Sequence, residues 1–178
     1  MTHQFLIAGF GGQGLLFAGK FMVNKGMLDG KEVSWLPSYG PEMRGGTANC
    51  SVIVSDEDVA SPLVDMADCI IAMNLPSLDK FESHVKPGGT LVINSSLIER
   101  KAVRTDINII YCDAVRLSES VGHPKGANVV TLGALLQNEP VASVETMVEA
   151  MRIELGERKA KFLEGNKKAL IAGMEAAK

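Results

Sequence analysis

The sequence is poor in the residues from which most recognisable chemistry is built. Aromatic residues make up 5% of the chain, and its 178 residues include three cysteines, three histidines and one tryptophan. The cysteines stand at 50, 69 and 112. An odd, widely spaced set argues against a disulfide framework and suits a reducing, cytoplasmic setting. Three thiols are also too few for an iron–sulfur cluster held by this chain alone. No C-x-x-C or H-x-x-H pair is present to seed a zinc site. Each cysteine is flanked by apolar or β-branched residues, so buried free thiols are expected.

Charge of one sign is missing as well. Lys and Arg number 18 against 21 Asp and Glu, a net charge of −3. A basic stripe with interleaved aromatics, the footprint of nucleic-acid binding, is absent. No apolar run approaches the ~18 residues of a membrane span. The start, MTHQFLIAGFGG, lacks a basic stretch, and Gly9 interrupts its apolar run, so it does not read as a signal peptide. No Ser/His/Asp or Cys/His set has the spacing for nucleophilic catalysis, and no close acid pair stands out.

What is present is an ordinary globular composition, 46% hydrophobic and 22% charged. The length corresponds to a single domain over residues 1–178, with a helical C-terminal part from about residue 143. Short apolar runs at 5–8, 32–36, 47–54, 69–73, 90–94 and 107–111 read as strands. Helical spacing follows Gly14, runs from 75 to 85, and returns at 113–121, 128–136 and 143 onward, with Ser143 as a cap and a break at Gly156. Pro87-Gly88-Gly89 reads as a turn. Ser55–Asp68 carries five acids and no base and reads as a solvated excursion. The alternation predicts an α/β, Rossmann-like layered domain with a mostly parallel sheet and helices on both faces. The exception is the stretch from Val33 to Val54, whose helix-free connection allows an antiparallel pair.

Two loops stand out. Gly9, Gly11 and Gly14 satisfy G-x-G-x-x-G after a strand and before a helix, with Gly12 and Gln13 between them. Glycines admit close backbone approach, and a helix N-terminus favours an anion. A dinucleotide site also wants an acid at the end of the second strand, about 20 residues on. That region reads Val33-Ser34-Trp35-Leu36, and Asp29 precedes the strand. The second loop, Ser38–Gly46, holds Tyr39, Glu42 and Arg44 together with three glycines. Arg44 can fork onto a phosphate or carboxylate, Tyr39 can stack or donate, and a Glu42–Arg44 pair would merely hold the loop. If the carboxyl ends of strands one and two are neighbours, the two loops share a crevice. His123 reads as an exposed loop residue and Asn128 as a helix cap. Four readings stay open: a nucleotide site at Gly9–Gly14, a contact with another anionic ligand, a surface buried against a partner, and close strand–helix packing with no ligand.

The strand–GFGGQG–helix start, SYGPEMRGG at 38–46, the Asn74–Ser77 to Lys86–Gly89 pattern and G-x5-NVVTLGAL at Gly122–Leu135 together resemble the gamma subunit of 2-oxoacid:ferredoxin (acceptor) oxidoreductases, with the 2-oxoglutarate type as the nearest variant. The resemblance implies a heteromeric complex with alpha, beta and ferredoxin-like delta subunits that passes electrons to ferredoxin or another acceptor. Thiamine diphosphate with Mg, iron–sulfur clusters and coenzyme A would serve it. It implies that this chain holds none of these firmly and is inactive alone. It further implies that Gly9, Gly11, Gly12, Gln13, Gly14, Tyr39 and Arg44 face coenzyme A or a neighbouring subunit. An isolated gamma chain, with its partner surface bare, would self-associate.

Overall fold

A computed structural model describes residues 1–38, 47–139 and 141–178. Six strands form one sheet: β1 (Thr2–Phe10), β2 (Glu32–Ser38), β3 (Thr47–Ser55), β4 (Ala67–Ala72), β5 (Val85–Asn94) and β6 (Asn108–Cys112). The sheet order is β2-β3-β1-β4-β5-β6. Ladders β1–β4, β4–β5 and β5–β6 are parallel, while β3 runs antiparallel to both β1 and β2. The shortness of the connection between Ser38 and Thr47 explains the antiparallel pair, because parallel neighbours need a crossover of a dozen or more residues. It also corrects one expectation: β2 does not lie beside β1, since β3 fills the place between them.

The strands are apolar on both faces because both faces are covered. Phe5, Ile7, Cys69, Ile71 and Val92 point to one side, and Leu6, Ala8, Ile70, Leu91 and Ile93 to the other. The first side packs against α1 (Leu15–Leu28), α4 (Ala127–Asn138), α5 (Val144–Lys159) and α6 (Leu163–Ala176). The second packs against Leu78 and Phe81 of α2 (Leu75–Phe81) and against Ile98. A short α3 (Ala114–Ser120) follows β6.

Local chemistry sets the element ends. Asn74 caps α2, its Oδ1 accepting from the Ser77 N–H at 2.9 Å, and Ser143 caps α5 by accepting from the Thr146 N–H at 3.1 Å. Gly156 breaks the regular course of α5 with φ 56 and ψ −171. The segment Pro87–Gly89 falls inside β5; there the register with β4 shifts between the Ala67–Val85 and Cys69–Thr90 pairs, so the expected turn is an irregularity within the strand. Asp68 belongs to β4, not to the excursion, and accepts from the Gln4 N–H and the Lys86 ammonium. Helices α4 and α6 cross with backbone against backbone. A Cβ on Gly133 would strike the Leu170 carbonyl, and one on Gly173 the Val130 carbonyl.

Beyond α2 a buried carboxylate holds the irregular segment that leads to β6. Glu82 accepts from the Val103 N–H at 2.5 Å and the Arg104 N–H at 3.0 Å, and Arg100 donates to it at 2.9 Å. Burial alone would raise its pKa; the hydrogen bonds from Arg104, Arg100 and Val103 outweigh that, and the carboxyl is held below the ordinary value.

Candidate functional site

β1 ends at Phe10, and the chain turns through Gly11 and Gly12 before α1 begins. Gly12 has φ 90 and Gly14, the N-cap of α1, has φ 75. Both values lie in the left-handed region that glycine occupies without a Cβ penalty. At Gly14 a second constraint applies, since a Cβ would sit 2.6 Å from Asn128 Nδ2. Gly9 is buried, and a Cβ there would lie 2.7 Å from Met73 Cβ. Gln13 is turned inward: its Oε1 accepts from the Phe10 N–H at 2.6 Å, and its Nε2 donates to the Met73 carbonyl at 3.5 Å. Its amide stitches the end of β1 to the end of β4. No side chain caps α1 and no acid stands in its first turn, so its N-terminal field opens outward.

Asn128 has a different task from the expected one. The N-cap of α4 is Gly126, and Asn128 lies within the first turn. Its side chain instead donates to the Gly14 carbonyl at 2.9 Å. This bond brings the starts of α1 and α4, 114 residues apart in sequence, to one place.

Between them lies a cleft of about 580 Å³. Phe10, Leu16, Phe17 and Phe162 give it an apolar wall; Gly11, Gly12, Gly14 and Asn128 line the turn; and His123, Lys125, Lys159 and Asn166 supply the other polar groups. No Asp or Glu lines it among the described residues. His123 is half-buried, in contrast to the exposed loop residue expected. Its Nε2 is 2.8 Å from Asn166 Oδ1, and its ring rests on Gly126 and Gly165, where a Cβ would collide with it. The Lys159 ammonium sits 4.3 Å from the Phe17 ring centroid. Phe162 continues the apolar helical face that begins behind Ser143, but nothing in that periodicity marks Phe162, Lys159 or Asn166 as cleft residues; the break at Gly156, visible in the sequence, is what redirects the chain there. Tyr39 and Arg44, together with Glu42, lie outside the described residues. The flanking Ser38 and Thr47 pair with β3 and β1 respectively, Thr47 opposite Phe10, so this connection leaves and rejoins the sheet at the same rim as the glycine turn.

The geometry bears on the nucleotide reading. The carboxyl end of β2 carries Leu36, Pro37 and Ser38 and no acid. Asp29 ends α1 and pairs with Lys25 at 2.5 Å. With β3 interposed, the second strand stands two strand spacings, about 10 Å, from β1. The arrangement that presents an acid to a dinucleotide ribose is therefore missing from the described residues.

Among the described residues no group of three or more His, Cys, Asp or Glu side chains is placed to hold a metal ion. The three cysteines are buried on separate strands, and burial pushes the thiols of Cys50 and Cys112 up to about 12 and that of Cys69 higher still. Such thiols do not suit cluster ligation, which needs thiolates that converge.

Residues 4–176 match the family model described as pyruvate ferredoxin/flavodoxin oxidoreductase. The chain belongs to this family. Among members of the pyruvate ferredoxin/flavodoxin oxidoreductase family, ketoisovalerate oxidoreductase subunit VorA of Methanothermobacter marburgensis is 35% identical over 97% of this chain. The chain spans 36% of that relative's length. The 2-oxoglutarate synthase subunit KorC of Methanocaldococcus jannaschii is 33% identical over 85% of this chain and 82% of its own. Among solved structures, the gamma subunit of keto/oxoacid ferredoxin oxidoreductase from Geobacter sulfurreducens matches over 98% of both chains, at 32% identity and a TM-score of 0.83. The 2-oxoglutarate:ferredoxin oxidoreductase of Magnetococcus marinus, solved with 2-oxoglutarate, coenzyme A and succinyl-CoA bound, shares the fold over 99% of this chain and 31% of its own, at 22% identity and a TM-score of 0.87. The α/β class expected from the strand–helix alternation and the resemblance to this family's gamma subunits are both borne out.

Proposed function

We propose that the chain is the gamma subunit of a 2-oxoacid:ferredoxin (acceptor) oxidoreductase, assembled with alpha and beta chains and a ferredoxin-like delta chain. Its contribution is a surface that contacts coenzyme A and the neighbouring subunits at the Gly9–Gly14 turn. The observation that carries this reading is the end-to-end match to a gamma subunit, 98% of each chain. The chemistry of the cleft supports it: apolar walls, two lysines, no acid, and the starts of two helices suit an extended phosphorylated ligand. When bound, coenzyme A supplies the thiol that takes the acyl group. The residues of this chain would hold and orient it, with Gly11 and Gly12 permitting close backbone approach and Tyr39 and Arg44 on the adjoining connection. Thiamine diphosphate, Mg and iron–sulfur clusters belong, in this reading, to the other chains.

The substrate class is a 2-oxoacid. The chain covers 82% of the KorC relative's length and 36% of the VorA relative's, so 2-oxoglutarate is assayed first, with 2-ketoisovalerate and pyruvate beside it. The test is affinity purification from the native host, followed by thiamine and iron analysis and by acceptor-linked oxidation of each 2-oxoacid. A complex active only with coenzyme A, together with an inactive isolated chain, is expected. Turnover of a 2-oxoacid by the purified chain alone would overturn the reading.

A further inference from the structure

We infer that the open edge of β6 docks a second copy of this chain, antiparallel about a two-fold axis, so that two sheets join into one. The inference does not depend on what the glycine turn binds.

The two ends of the sheet are built differently. β2 closes one end with Glu32, exposed at its start, and with Pro37, which has no N–H to offer a further strand. β6 closes the other end and, among the described residues, pairs with β5 alone. The segment that forms it, Ile107-Asn108-Ile109-Ile110-Tyr111-Cys112, contains no charge, no proline and no glycine. Its β-branched and aromatic residues favour extended backbone. Such a run lacks the devices that keep strands apart, and its outward N–H and C=O groups are a template for another strand. Charged residues begin only outside it and are paired within the chain. Arg104 meets Asp106 at 2.5 Å before the strand, and Arg116 meets Asp113 at 2.8 Å after it. Neither ion pair sets a net charge against an incoming strand.

The side chains favour a copy of β6 itself. Ile107 and Ile109 belong to the face that packs against α2, and Ile110 and Cys112 to the opposite face. By the same alternation Tyr111 lies with Ile109. Residues directly opposite in an antiparallel pair share a face. With Ile110 opposite the partner's Ile110, Ile109 faces the partner's Tyr111 and Tyr111 faces the partner's Ile109. One face of the junction then carries two aromatic–β-branched pairs and the other a β-branched pair, which are favourable cross-strand combinations. An unrelated chain would need a complementary strand of its own, whereas a copy already carries one, and a two-fold contact leaves neither edge open.

Tyr111 is fixed before any docking. Its hydroxyl accepts from the Ala102 N–H at 3.0 Å, and the Lys101 ammonium lies 4.1 Å from its ring centroid. The residue is still 38% exposed, and Val103, next to Ala102, is 77% exposed. Apolar groups that are exposed yet already held lose little rotamer freedom when covered.

The experiment uses the full chain. Sedimentation equilibrium is expected to show a reversible dimer over about 1–100 μM. Hydrogen exchange at amides 108–112 should slow at least about threefold as the dimer forms, with the amides of β2 unchanged. Asn108 is exposed, so Asn108→Lys places a charge in the edge without touching the core. It should weaken the dimer at least about tenfold, and Asn108→Gln should not. Ile110→Cys should oxidise to a disulfide-linked dimer across the axis. Tyr111→Cys should not, because this register sets the two residues 111 off opposite positions. A monomer at every concentration overturns the inference, and so does a dimer that Asn108→Lys leaves intact. Equal cross-linking at 110 and 111 overturns the antiparallel register. Protection of amides 108–112 that appears only when other subunits are added gives the edge to a strand of theirs and overturns the second copy.

Discussion

The side-chain amide of Asn128 on α4 donates to the backbone carbonyl of Gly14 at the start of α1, at 2.9 Å. That carbonyl also accepts from the Ala18 N–H at 3.1 Å, so one atom closes the first turn of α1 and fixes a second helix to it. Asn128→Ala removes the donor and should cost about 1–2 kcal/mol of stability, measured by urea unfolding. The same substitution should weaken coenzyme A binding in the complex, because the two helix starts lose their common anchor. A variant as stable as the parent would contradict this role.

Two glycines in the same turn should respond differently to alanine. Gly12→Ala meets open space and only the strain of φ 90, about 1–2 kcal/mol. Gly14→Ala meets the same kind of strain at φ 75 and also the Asn128 amide 2.6 Å away. The expected order is Gly14→Ala less stable than Gly12→Ala by at least about 1 kcal/mol. Thermal or chemical unfolding of the pair measures it; a reversed order would show that the anchor yields without cost.

Glu82 sets an acid limit. Its folded pKa is lowered, so the stability it contributes is present above the unfolded carboxylate value and is lost as pH falls through the folded one. Stability should therefore drop on acidification below about pH 4.3, and Glu82→Gln should flatten that part of the profile. Glu82→Ala, which also removes the acceptor of the Arg100 Nη2 and of two backbone N–H groups, should cost about 2–4 kcal/mol at neutral pH. Parallel acid profiles for parent and Glu82→Gln would refute the assignment.

The thiols should be silent in the native state. Cys50, Cys69 and Cys112 are at most 2% exposed, and burial raises the pKa of each. A thiol reagent at pH 8 should modify none of them in the folded chain and all three in denaturant. Rapid labelling without denaturant would mean that the sheet opens locally.

Most of the sheet was legible because its strands are buried on both faces and therefore read as continuous apolar runs. The antiparallel pair was legible from a negative sign, a connection without a helix. What could not be read was spatial order: nothing in the sequence of β3 says that it lies between β1 and β2, because that choice is made by packing of the whole sheet. The site divides in the same way. Gly9–Gly14 announce themselves by spacing, and Gln13 was visible as the only polar side chain in the turn, but its inward direction depends on Met73, 60 residues away. Asn128 was noticed for the right place and the wrong bond. Phe162 belongs to the apolar helical face of the C-terminal part, while Lys159 and Asn166 carry no local pattern; only the fold brings the C-terminal helices over the turn.

The crossing of α4 and α6 leaves no side chain between Gly133 and Leu170 or between Gly173 and Val130. Helices separated by side chains can slide by small rotamer changes; helices in backbone contact cannot. The residue that anchors the glycine turn, Asn128, and the residue that seats His123, Asn166, ride on this locked pair. The side of the cleft that carries Asn128 and Asn166 is therefore rigid, and adjustment to an occupant falls to the residues on α1 and at the end of α5. A partner that pressed on α6 would move Asn166 and Asn128 together, and through Asn128 it would pull on the glycine turn.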